Sequence, residues 1–155
     1  MRSSKRQPKQ DYPRYQRLDM GALPGSVYLT FDCTPREAID GLPELRDQHG
    51  LGPETVAQFA DDIAKISSTS RGYTIGIDGA VLVWLDRADL GCLIHELTHA
   101  VFHVFNYASV PTSYKNQETF AYHLEHLVGQ ININPGINTI SKDPQRGSKS
   151  TRGRK

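Results

Sequence analysis

His95-Glu96-Leu97-Thr98-His99 sets two imidazoles four residues apart with a carboxylate beside the first. On a helix, at about 100° per residue, His95 and His99 stand only about 40° apart and one turn along, so both rings reach a single ion. Glu96 is turned about 60–100° from the pair, where a base takes a proton from activated water without itself occupying the ion. This is the chemistry of metal-assisted hydrolysis. Leu90, Leu93, Leu97, Val101 and Val104 centre on the opposite face, so the helix can bury one side in a core and offer the other to a cleft.

A catalytic zinc takes three protein ligands and keeps one position open. Glu118 follows His99 by 19 residues, across a loop and near the start of the next helix. A helix–loop–helix hairpin returns the chain alongside itself, and Glu118 lies at the edge of that helix's apolar stripe, one turn from small Ala121. The expected set is therefore His95, His99 and Glu118 as metal ligands and Glu96 as catalytic base, with Zn²⁺ the ion that nitrogen and oxygen ligands suit. His103 competes weakly, since its Cα lies about 12 Å along the axis from that of His95. His123 and His126 follow Glu118 by five and eight residues and are turned from its direction. Cys92 sits near the His95 side and reads better as a small buried residue. Tyr107, Tyr114 and Tyr122 are candidate oxyanion donors, and Phe102 and Trp84 candidate pocket residues.

These side chains need elements to hold them. Val27–Phe31 suits a strand. Thr34-Pro35-Arg36-Glu37 opens a helix with a capping box and proline at the first helical position, and Gly41, Pro43 and Gly50 are expected to break the segment after it into short pieces. A second helix starts near Pro53, with Val56, Phe59, Ala60, Ile63 and Ile66 on one face. Tyr73–Ile77, Asp78-Gly79 and Ala80–Leu85 read as a hairpin on a tight primed turn. Asp86–Asp89 caps the histidine helix, Asn106–Thr112 is a loop, and Ser113 or Asn116 caps a fourth helix carrying Phe120, Ala121, Leu124, Leu127 and Val128. The expected class is α+β.

His95-Glu96-x-x-His99 followed by Glu118 resembles the zincin metallopeptidases, and among them the gluzincin pattern, in which a downstream helical glutamate is the third zinc ligand. HELTHAVFHVF and then ETFAY are also similar to short HExxH proteins of tailed phages. The likeness covers about residues 72–129. It implies a small zincin-like domain, with a short antiparallel sheet or hairpin packed on the active helix and on the helix after it. It further implies a peptide or protein substrate paired to an edge strand, here Ala80–Leu85. Tyr122 stands where the family often has an acidic residue, and no C-terminal subdomain is evident. Phe102 and Phe105 occupy the Gly and third-His positions of the metzincin variant. Asn116 stands where proteases of the SprT type would place a histidine ligand.

The 155 residues suffice for one core. Residues 1–17 carry six basic side chains against Asp11, and residues 142–155 six more against Asp143. Between them, residues 18–141 hold six basic and fifteen acidic groups, so the +1 total conceals a middle of −9. The expected organisation is a disordered basic arm, one metal-binding domain over 18–141, and a disordered basic tail. Such a charge layout is not that of a uniformly basic nucleic-acid-binding domain, though the termini could touch phosphates weakly. No apolar run reaches the roughly 18 residues of a membrane span. Two cysteines and a charged start suit a reduced, cytoplasmic protein. Two other readings share the zinc site: a non-enzymatic assembly or host-interaction protein stabilised by the ion, and a nucleic-acid-associated protease.

Overall fold

The computed structural model describes residues 15–131. Four strands, β1 (Gln16–Asp19), β2 (Ser26–Thr30), β3 (Gly72–Ile77) and β4 (Ala80–Leu85), form one sheet in the order β1-β2-β4-β3. Helices α1 (Pro35–His49) and α2 (Pro53–Ala64) fall between β2 and β3, and α3 (Leu90–Tyr107) and α4 (Gln117–Gln130) follow the sheet. The class is α+β, as expected. The sheet is mixed rather than purely antiparallel: β2 runs parallel to β4, with Val27 opposite Val81 and Leu29 opposite Val83, while β1 and β3 flank that pair antiparallel.

Strand alternation sorts the side chains into two cores. Val27, Leu29, Val81, Val83 and Leu85 meet Leu93, Leu97, Val101 and Phe105 of α3 and Leu127 of α4. On the other face Tyr28, Leu82, Trp84 and Ile75 meet Ala38, Leu42 and Leu45 of α1 and Phe59 and Ile63 of α2. Six consecutive buried apolar residues make β4 the strand covered on both faces and paired on both edges. The edge expected at Ala80–Leu85 is therefore at β3, whose burial is broken along its length.

Thr34 caps α1 as its sequence predicts: its hydroxyl accepts from the Glu37 N–H while the Glu37 carboxylate accepts from the Thr34 N–H. The helix is not broken at Gly41 or Pro43 but runs unbroken for 15 residues to a left-handed Gly50, whose N–H donates to the Arg46 carbonyl. Proline removes one N–H bond, and buried Ala38, Leu42 and Leu45 at helical spacing outweigh it. Asp78 and Gly79 both take positive φ (47° and 81°), the primed turn that the hairpin requires.

The boundary of the basic arm also moves. Tyr15, Gln16 and Arg17 belong to the fold: Tyr15 is buried and donates to the Ala38 carbonyl, and β1 pairs with β2 from Gln16 onward. The interspersed charges conceal that short strand. The rest of the arm and the tail lie outside the described residues.

Candidate metal centre

Asp89 starts α3, its carboxylate accepting from the Cys92 N–H at 2.9 Å. Along α3 the buried positions Leu93, Leu97, Ala100, Val101 and Val104 face the sheet, which leaves His95 and His99 exposed on the outer side. Their Nε2 atoms stand 3.2 Å apart with the rings edge to face. Two nitrogens bound tetrahedrally to zinc at 2.0–2.1 Å would be separated by about 3.3 Å. The imidazole pair thus fits one ion.

Glu96, 7 % exposed, lies to the side of the pair and under β3. Thr74 Oγ1 donates to Glu96 Oε2 at 2.6 Å and is 3.0 Å from the backbone oxygen of the same residue. Gly72, Thr74 and Gly76 lie opposite Leu85, Val83 and Val81, and so share the face of the sheet that meets α3. Two of the three are glycines because α3 fills the space. A Cβ on Gly72 would sit 2.8 Å from Cys92 Sγ and from Glu96 Cγ and Oε1, and one on Gly76 only 2.4 Å from His103 Nδ1. At the turn, the Tyr107 ring fills the same place beside Gly79, 2.6 Å from a Cβ there. Residue reasoning missed Thr74 and the glycines; the signal was the alternation Gly-x-Thr-x-Gly in a strand otherwise suited to larger side chains.

Glu118 is not brought to the histidines. It is exposed in the first turn of α4, and about 100° per residue sets it half a turn round from inward-facing Leu127. Phe120, not Glu118, packs on α3, with ring centroids 4.8 Å from Phe102 and 5.8 Å from Phe105. Among the described residues no third His, Cys, Asp or Glu joins the pair in a ligand group. Of the three expected ligands, the structure brings the two imidazoles together and leaves Glu118 apart.

The weaker competitors have other positions. His123 is buried against Phe105, and His126 stacks on Tyr122. Burial, and then the Glu96 carboxylate, push the Cys92 thiol above its ordinary value. Burial first and His99 second hold the His103 imidazole below its own. Trp84 belongs to the core on the far side of the sheet, donating to the Cys33 carbonyl, so it lines no cleft beside α3. Phe102, 43 % exposed, lines a cavity of about 540 Å³ with Phe105, Phe120, Tyr114 and Asn116, and neither His95 nor His99 lines it.

No family model, curated protein or solved structure matches the chain.

Proposed function

We propose that this chain is a zinc-dependent metallopeptidase with a zincin-like domain, in which His95 and His99 hold the ion and Glu96 is the general base. The observation that supports the reading is the 3.2 Å approach of two exposed imidazole nitrogens next to a buried, hydrogen-bonded carboxylate. A purely structural zinc site is closed by four protein ligands and needs no base; here the pair is open to solvent. When bound, the ion supplies Lewis acidity that brings water to ionise near pH 7.

The protein's own groups do the rest. Thr74 fixes Oε2, leaving Oε1 of Glu96 to take the proton of the attacking water and deliver it to the leaving amine. β3 offers the substrate its backbone. The two-residue turn makes Ile77–Ala80 a hydrogen-bonded pair, and alternation from there turns the N–H and C=O of Gly72, Thr74 and Gly76 to the open edge. An extended peptide can add there as a fifth strand.

The test is zinc content and cleavage of a quenched peptide library by the wild type, Glu96→Gln and Glu118→Ala. We expect about one zinc per chain in the wild type and in Glu96→Gln, with cleavage down about 10²- to 10⁴-fold in the latter. Zinc absent from the wild type after supplementation, or undiminished cleavage by Glu96→Gln, overturns the reading. Loss of zinc from Glu118→Ala assigns Glu118 the third position; retention leaves two imidazoles as the protein ligands.

A further inference from the structure

We propose that His103 is a substrate-binding residue, placed at the seam between β3 and a peptide strand added to its open edge. The proposal rests on the strand-addition reading above and assigns a role to an imidazole that the metal chemistry does not use.

Taking His95 as zero and about 100° per residue, α3 presents its residues in angular order. Phe102, His95 and His99 fall at about −20°, 0° and 40°, on the exposed face of the helix. Cys92, His103, Glu96 and Tyr107 fall at about 60°, 80°, 100° and 120°. This second group meets β3 and its turn: Cys92 and Glu96 at Gly72, His103 at Gly76, Tyr107 at Gly79. β3 and α3 therefore run side by side in the same direction. A fifth strand would lie about 4.8 Å beyond β3, an arc of roughly 50° on a helix about 11 Å across. It would pass over the histidine pair.

His103 is then bordered by both strands. On one side its ring occupies the place of a Gly76 side chain; on the other it meets the backbone of the added strand beside the outward N–H and C=O of Gly76. His103 is exposed, and its ring leaves a nitrogen able to donate to or accept from that backbone. Cys92 and Glu96 lie under Gly72 and Tyr107 under the turn, so His103 is the imidazole that serves the middle of this seam.

Its distance from the chemistry defines its role. From the midpoint of His95 and His99 to His103 is about 9 Å along α3, or two to three residues of an extended peptide at about 3.3 Å each. His103 thus contacts substrate two or three residues from the bond that is cut, and acts on binding rather than on the chemical step.

The test uses the zinc-loaded full chain and two quenched peptides that share a cleavable core. One extends three residues past the scissile bond on the His103 side, and the other is cut back there. With His103→Ala we expect KM for the long peptide to rise about three- to tenfold, the worth of one hydrogen bond. Zinc content and kcat should hold, and KM for the short peptide should not change. His103→Gln, which keeps a donor and an acceptor, should recover part of the loss. An equal KM effect on both peptides, no effect on either, or loss of zinc overturns the proposal while Glu96-dependent cleavage still upholds the peptidase. No Glu96-dependent cleavage by the wild type overturns both.

Discussion

Glu96 is a buried acid whose usefulness depends on one hydroxyl. Thr74 donates to Oε2 at 2.6 Å, on the face of β3 that carries no other side chain able to donate. Thr74→Val keeps the shape and removes the donor. The Glu96 carboxylate then loses the contact that holds Oε2 in place. Cleavage, read as kcat/KM, should therefore fall by about three- to tenfold, the worth of one hydrogen bond, with zinc content unchanged. Cleavage at the wild-type rate would mean that the hydroxyl merely packs. Residue types and spacing made His95, Glu96 and His99 legible, because four-residue spacing on a helix has one geometric outcome. Thr74 was not legible: its partner lies 22 residues away, and only the sheet register brings them together. Glu118 marks the converse limit. Its type suits a ligand, but which way a first-turn residue faces depends on how Phe120 and His123 seat α4 against α3.

At the scale of elements, the approach of β3 to α3 is set by glycine. Gly72→Ala puts a methyl 2.8 Å from Cys92 Sγ and from Glu96 Cγ and Oε1, closer than real Cβ contacts allow, so the strand or those side chains must shift. That shift costs about 1–3 kcal/mol, and Glu96 loses its position. Urea unfolding of Gly72→Ala should show that loss, and cleavage should fall further than stability alone explains. Gly50→Ala, where nothing lies within 4 Å but φ is +67°, controls for backbone strain remote from the site. Most elements were readable because each carries its own signal: the Thr34 capping box, the Asp78-Gly79 turn, the Asp89 cap. What misled was punctuation. Pro43 reads as a stop, yet removes one bond from a helix whose apolar stripe continues through it. The unbroken run Ala80–Leu85 already had the pattern of a central strand, since an edge strand with one wet face would alternate.

The described residues form a sheet between two helical layers, and α4 is joined to the β1 end through the Gln130 bonds to the Asp19 backbone and through His123. Its ring is 4 % exposed, hydrogen-bonds the Met20 backbone, and has no partner at Nδ1. His126 and Tyr122 on its own helix and the Phe105 ring on α3 surround it. None of them offers a carboxylate. Burial first, and the nearby His126 second, hold the His123 pKa below its ordinary 6.5. The unfolded chain then takes up this proton before the folded one does. Stability is complete above about 6.5 and is lost as pH falls from there toward the lower folded value, by about 1.4 kcal/mol for each unit between the two. Urea midpoints at pH 7.5 and pH 5 should therefore fall more for the wild type than for His123→Phe, which fills the site without titrating. His103 is depressed in the same direction, but it is present in both proteins, so the difference between the slopes isolates His123. Parallel slopes would place the acid sensitivity elsewhere, since the seam of α4 and β1 is also held by Leu127, Leu18 and Met20 and by the Gln130 amide, which accepts from the Asp19 N–H and donates to the Asp19 carbonyl.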